Sequence, residues 1–515
     1  MNFLALYSGL LLPWLSGTLW LALAESKLSQ NTQIQRLRQA GYGFFLGYAI
    51  LFLVILADNK LTGSVSWSGV MLFLLVFTVV PAGILWFDHK EETKARSDWA
   101  QRTYGRQLFS NGVQDKSSGQ TAKPTSVAVK ALTTVLTVWI AIHLIFIAVE
   151  IYSQPLYPWD AWLVWIYRAK AWFLAGGLVD ITSAGNWAAA TATNTYSVEA
   201  WFYPQLPSII PYWAALSLGY WSETLINLPV LFAGLAIGMA LYGQCHEYGL
   251  SAPASLVAGY LLYSIPIFGT HLALAGYADI WMAGFVGLGF MAVIRGIVMP
   301  ADFARLSFQS LLGLLLVGLG ILVKNEAVVW FLAMLVMFLL ASFQLRVSLL
   351  AMLVLTGSIT LGAALGYTHI DIPFIGTLGI NNGRLFVPFI GNFALEVHNV
   401  WRMYWDNFIT MGSWNLLWVL VISSMLLVIL LPNKSSSSYL ARRTSLVFFV
   451  VFLATQLFIF GFTDQGVWAD TYTAINRLPL HFVPALLFAV AVIAHSTLMS
   501  NVSSSEKLAT TVGYA

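Results

Sequence analysis

Apolar runs separated by short polar breaks recur along the whole chain. They lie near 3–23, 41–57, 67–87, 131–152, 224–243, 252–270, 276–294, 306–323, 327–344, 348–368, 410–431, 445–463 and 477–498. A helix needs about 20 apolar residues to cross a hydrocarbon core of about 30 Å, so these runs predict thirteen membrane spans. Residues 205–221 (QLPSIIPYWAALSLGYW) are also apolar, but Pro204, Pro207 and Pro211 interrupt their start. They read as a re-entrant or outer-leaflet helix; the other reading is a true span with a different run failing to cross.

Composition agrees with a lipid-facing chain. Of 515 residues, 59% are hydrophobic and 9% are charged, whereas soluble domains carry about 25% charged residues. The counts of Gly 40 and Trp 21 suit helices packed through small residues and ringed by interfacial aromatics. A net charge of +3 gives no reason to expect a nucleic-acid partner, and the single Cys245 excludes an internal disulfide or a multi-cysteine metal site. No cleavable signal is evident at the first run. The expected fold is an all-α polytopic membrane protein, with about 13 transmembrane helices and outer juxtamembrane helices.

Charge sets the expected orientation. Segment 88–130 holds Lys90, Lys94, Arg96, Arg102, Arg106, Lys116, Lys123 and Lys130, so it is placed in the cytoplasm. Alternating from there, inner loops collect 18 of the 25 basic residues. The division is then a three-span extension over 1–87, a cytoplasmic linker over 88–130, a transmembrane module over 131–498 and a cytoplasmic tail over 499–515.

Unusual polar residues gather on the loops assigned to the outside. In YPWDAWLVWIYRAKAW, Trp159, Trp162, Trp165 and Trp172 recur near helical spacing around Arg168 and Lys170, as in a helix lying among lipid headgroups. Asp160 follows Pro158 and reads either as a first-turn carboxylate or as a reactive one. Asp279 opens a span in GYADIW, where a carboxylate needs a partner or a function. Lys324, Asn325 and Glu326 form a polar island that is either a salt-bridged hairpin tip or a cation site for phosphate. Arg477, with His481 one turn on, opens the last span and is either an interfacial snorkel or a site residue. Loop 369–409 carries His369 and Asp371, two ligands of a weak metal pair, among other polar residues. No P-loop, dinucleotide fingerprint, nucleophile elbow or HExxH motif is present.

Four places resemble the GT-C superfamily of membrane glycosyltransferases, notably bacterial members similar to the protein mannosyltransferases and the lipid A aminoarabinose transferase. They are PWDAWLVW with Asp160, AWFYPQLPSIIP with Tyr203, GYADIW with Asp279 and NRLPLHFVP with Arg477. KNEAVVWFLAML is similar to a stretch in further bacterial members, and the likeness spans 131–498. The resemblance implies inverting transfer of a sugar from a polyprenyl-phosphate donor to a lipid, glycan or protein acceptor, on the outer face of the inner (plasma) membrane.

On that basis Asp160 and Asp279 are the catalytic candidates, with Asp160 as general base. Lys324, Arg477, Arg168 and Lys170 are candidates for the donor phosphate, and Trp159, Tyr203, Glu326 and His481 for substrate contacts. No cofactor is assigned; YPQ stands where many members have HPP, which leaves a divalent metal open. The alternative from a different class is a transporter or flippase for a lipid-linked or anionic substrate, which would bind near the bilayer midplane.

Overall fold

Where apolar side chains run without interruption, the backbone must satisfy its own hydrogen bonds, and helices are the local solution. The computed structural model describes residues 3–26, 33–107, 126–190, 195–299, 307–343, 346–347, 350, 353–354, 357, 361, 369–372, 376–388, 391–431 and 436–512. Among these, eight helices are long and apolar enough to cross a membrane, or nine if one bent pair counts as a span. The chain is an all-α polytopic membrane protein in its main body.

The helices used below are α1 (Phe3–Glu25), α2 (Gln33–Thr62), α3 (Trp67–Gln107), α4 (Val127–Ser153), α5 (Ile166–Ala175), α6 (Leu206–Leu218), α7 (Leu228–Tyr248), α8 (Ala252–Ser264) and α9 (Pro266–Ala273). They continue with α10 (Asp279–Val298), α11 (Phe308–Leu319), α12 (Ala327–Ser342), α13 (Leu417–Leu430), α14 (Ser436–Phe462) and α15 (Leu478–Met499). α8 and α9 meet at 65°. The bend falls at Pro266, which lacks an N–H and holds Ile265 extended at ψ 113°.

Of the thirteen predicted runs, those at 306–323, 327–344 and 410–431 form shorter helices. The last of these spans 14 residues, about 21 Å of rise. Run 348–368 lies largely outside the described residues. The 205–221 segment forms α6, whose 13 residues rise about 20 Å, and nearly every side chain on it is buried.

Close helix crossings build the core. A side chain at Gly47 of α2 would meet the Pro13 carbonyl of α1 at 1.8 Å, so those backbones touch directly. A buried polar knot then ties α1, α2, α7, α10 and α11 together at one end. Arg38 donates to both Glu25 oxygens (2.9 and 2.7 Å) and to both Glu247 oxygens (2.9 and 3.0 Å). Gln39 and Gln309 also donate to Glu25, while Arg295 donates to Gln244 and faces Glu247 at 3.0 Å.

Residues 369–409, expected as a polar outer loop, contain a four-stranded antiparallel meander: β1 (His369–Ile372), β2 (Gly376–Asn381), β3 (Arg384–Val387) and β4 (Gly391–Ala394). The turn between β2 and β3 is Asn382–Gly383, with φ of 49° and 72°, the left-handed pair that a tight hairpin requires.

The tryptophan-rich segment also departs from a plain amphipathic helix. Trp159 and Trp162 are exposed, whereas Trp165 and Trp172 are buried. At about 100° per residue Trp165 and Trp172 fall roughly 120–140° round from Trp159, on the buried face they share with Ala161 and Arg168; residues Ala161–Trp165 form a π-helical turn.

Candidate functional site

Four chain segments far apart in sequence bring their polar residues to one point. Asp160 stands between the end of α4 and the π turn. Its segment packs through Ala161 against Gly276, which adopts φ +107°. A Cβ on Gly276 would meet the Ala161 Cβ at 2.5 Å. Gly276→Ala is therefore expected to cost about 1–3 kcal/mol and to push the Asp160 segment away from Asp279. Thermal unfolding in detergent checks it, and an unchanged melting temperature would contradict the close approach.

Asp279 is the first residue of α10 and is fully buried. Beneath it, Trp281 stacks on Phe44 and packs against Phe45 and Tyr48, closing the floor. Four donors saturate its carboxylate. Oδ1 accepts from Lys324 Nζ (2.8 Å) and His481 Nε2 (3.0 Å); Oδ2 accepts from Arg477 Nε (3.0 Å) and Nη2 (2.7 Å). The tautomer of His481 follows from its other neighbour. The Trp330 indole N–H is donor-only and points at His481 Nδ1 at 3.2 Å, so the ring proton sits on Nε2, facing Asp279. His271 Nε2 lies 3.8 Å from the same carboxylate.

Arg477 joins this buried carboxylate to the accessible one. Its Nη2 also donates to Asp160 Oδ2 at 2.5 Å, and its guanidinium lies 4.6 Å over the Tyr277 ring. The Arg477 and Asp160 side chains keep 21% and 23% of their exposure, against none for Asp279. Burial works against the Arg477 charge, but Asp279 and Asp160 outweigh it and hold its pKa above the usual arginine value.

Beside this pair, Tyr203 donates its hydroxyl proton to Glu326 Oε1 at 3.3 Å. Glu326 Oε2 is shielded from solvent and has no hydrogen-bond partner among the described residues. The Glu326 charge, then burial, raise the Tyr203 pKa above that of an ordinary phenol, and Asp160 adds to the effect. Three carboxylates and two cations thus share the site, a formal charge of −1 with the histidines neutral.

The remaining sequence candidates are placed elsewhere or used differently. Arg168 is buried and spends its guanidinium on backbone carbonyls of Ala200, Trp201, Tyr203 and Pro204, at 2.9 to 3.4 Å. It fixes the turn that presents Tyr203, and burial pushes its pKa down to about 10. Lys170 pairs with Glu223 at 2.9 Å and sits over Trp221. Trp159 is 65% exposed. On β1, Asp371 accepts from the Thr377 hydroxyl at 2.6 Å. Among the described residues no group of three or more His, Cys, Asp or Glu side chains is placed to hold a metal.

Sequence reasoning passed over Tyr277, His271, Trp330 and Gly276. A histidine within an apolar run two turns before Asp279, and a Gly–Tyr pair just ahead of it, were the available signals. No protein-family model, curated protein or solved structure matches the chain.

Proposed function

We propose that this protein is a membrane glycosyltransferase of the GT-C kind, moving a sugar from a polyprenyl-phosphate donor to an acceptor with inversion. The observation that carries the reading is Arg477, which holds an accessible carboxylate, Asp160, against a buried anchor, Asp279. Asp160 takes the acceptor hydroxyl proton as the acceptor oxygen attacks the anomeric carbon. Arg477 and Lys324 meet the departing prenyl phosphate. Asp279 positions both cations, and Glu326 with Tyr203 offers a free acceptor oxygen to a substrate hydroxyl.

The distribution of charge favours this reading over a transporter. Among the described residues, the buried charged side chains are Glu25, Arg38, Asp58, Arg168, Asp279, Lys324 and Arg442, each within two turns of a helix end. Transporters place binding groups near the bilayer midplane at broken helices. Here Asp279 and Arg295 lie sixteen residues apart on α10, about 24 Å of rise, and the side chains Leu288–Ile294 between them are apolar.

In this reading the shorter helices α11, α12 and α13 and the bent pair cross the membrane along with the eight long helices, while α6 re-enters from the site side; the thirteenth expected run, 348–368, lies largely outside the described residues. That side is the outer face of the inner membrane, where the exposed Trp159, Trp162, Trp401, Trp405 and Trp468 form the interfacial aromatics. The test is to reconstitute the purified protein in vesicles with a polyprenyl-phosphate sugar and cell-envelope acceptors, and to follow loss of the sugar-lipid. Release of free polyprenyl phosphate, dependent on acceptor, is expected. An intact donor after prolonged incubation, with native mass spectra holding only bulk phospholipid, would overturn the assignment.

A further inference from the structure

Arg477 is the only contact drawn between Asp160 and the rest of the ion cluster among the described residues, and it is shared unequally. Two of its nitrogens, Nε and Nη2, reach Asp279 Oδ2, and only Nη2 also reaches Asp160. Asp279 is fixed from its other side by Lys324 and His481, so the Asp279 half of the contact is anchored. The Asp160 half is the exposed half. An anion that approaches the cluster from outside therefore meets the half of Arg477 that Asp160 holds, and not the half anchored on Asp279.

In the resting cluster Asp160 Oδ2 is occupied: it accepts the charge-assisted hydrogen bond of Arg477 Nη2, which fixes the carboxylate against the guanidinium. The cluster is also charge-balanced around Arg477 without any ligand, and Glu326 adds a further negative charge nearby. A phosphate entering here must be compensated by a cation, and the exposed edge of Arg477 supplies it.

We infer that a prenyl phosphate reaches this site by displacing Asp160 from Arg477, and that Asp160 is withheld from acceptor chemistry until that displacement has occurred. The inference rests on the transferase reading above and makes its two substrates ordered, donor before acceptor. Arg477 turns its Nη2 edge to the phosphate while Nε stays on Asp279. The freed Asp160 carboxylate then accepts the proton of the acceptor hydroxyl as the new glycosidic C–O bond forms and the bond from the anomeric carbon to the phosphate oxygen breaks. The electron pair of that bond leaves with the prenyl phosphate, whose charge remains on Arg477. Protonated Asp160 returns to its ion pair when it loses the proton to solvent and the prenyl phosphate departs.

The inference has an unusual sign. Removing the carboxylate proposed as the base should strengthen binding of the leaving group. Farnesyl phosphate serves as the probe, titrated by native mass spectrometry against the full-length protein in detergent. Asp160→Asn is expected to bind it about tenfold more tightly than the unaltered protein. Glu326→Gln removes the same formal charge from the same site without touching Arg477, so it should gain much less. Farnesol, which lacks the phosphate, should not distinguish the variants.

Equal gains in Asp160→Asn and Glu326→Gln would reduce the effect to general charge relief and overturn the inference. So would weaker or unchanged binding in Asp160→Asn. A protein that binds farnesyl phosphate equally in all forms keeps the transferase reading and loses the inference, whereas failure of every form to bind it removes both. A second measurement covers the case in which Asp160→Asn does not fold. In isotope-trapping experiments on the unaltered protein, bound labelled donor should be carried to product on adding acceptor, while pre-bound acceptor should exchange out before reacting. Productive trapping of acceptor in the absence of donor would overturn the ordered scheme.

Discussion

Asp279→Asn is expected to cost about 3–5 kcal/mol of folding stability, the largest effect of any single substitution proposed for this protein. The change barely alters shape, so the cost comes from charge. Asp279 is the common acceptor for Lys324, Arg477 and His481, with contacts of 2.7 to 3.0 Å, and its side chain has no exposure. An amide in its place cannot balance two cations and turns its own N–H donors toward groups that are already donors. Lys324 is also buried and has no water to retreat into. Loss of the buried partner in such a pair is costly because the remaining charge stays desolvated. Unfolding in mixed micelles, compared with the unaltered protein, measures the loss. A melting curve that does not move would mean that the cations reorganise freely, and the anchoring role given to Asp279 would fall.

The ion cluster was partly legible before the structure, and the reason is physical. A carboxylate at the head of a span and a cation at the head of another are rare in an apolar chain, so Asp279, Lys324 and Arg477 stood out singly. Asp160 was visible because it follows Pro158 in an aromatic segment. What pattern alone did not disclose is which of them share a partner. Arg477 meets Asp160 across 317 positions and Asp279 across 198, separations over which hydrophobic periodicity is silent.

Arg168 shows the opposite limit. Its sequence surroundings resemble those of an exposed interfacial cation, yet it is buried and clamps the carbonyls of the turn that carries Tyr203. A cation between tryptophans looks the same in sequence whether the segment lies on the lipid or folds back into the protein. What decides the matter is tertiary packing on the face that carries Ala161, Trp165, Arg168 and Trp172, and that packing has no distinct residue pattern.

The fold follows the same division. Spans that are long and apolar, such as α2, α4 and α14, were evident from run length. The shorter α11 and α12 form a hairpin whose tip holds Lys324, and their lengths were set by the polar tip rather than by the apolar run. The meander over 369–394 was the larger omission, although its NNG turn was a usable signal. Its strands are short, and the polar face carrying His369, Asp371 and Arg384 made the whole segment read as loop.

The knot at the other end of the bundle was missed for a different reason. Glu25, Arg38, Glu247 and Arg295 fall at run boundaries, where charged residues ordinarily face water. Their convergence draws α1 and α2 onto α7 and α10, and α10 therefore carries a polar cluster at each of its ends. The site end is held by Asp279 and the far end by Arg295, so movement of α10 along its axis would break one set of buried pairs or the other. A site whose reacting groups must stay in register benefits from such a rigid post.

Asp160→Asn is expected to separate chemistry from stability on that same post. Turnover of the lipid-linked sugar should fall by about a hundredfold to ten-thousandfold, the range removed with a general base. Stability should change by no more than about 1 kcal/mol, because the Asp160 side chain is partly exposed and Arg477 keeps its buried partner. The amide still accepts a hydrogen bond from Arg477, so the segment should stay in place while the proton acceptor is lost. The comparison with Asp279→Asn is what gives the result meaning: both variants replace one carboxylate oxygen on the same guanidinium, one at the exposed edge and one at the anchor. If Asp160 is the base, the first loses rate and keeps its melting temperature, and the second loses both. Near-normal turnover in Asp160→Asn would move the proton to another acceptor, with Glu326 Oε2, unpartnered among the described residues, next in line. A shared loss of stability in the two variants would instead make Asp160 a second structural partner of Arg477.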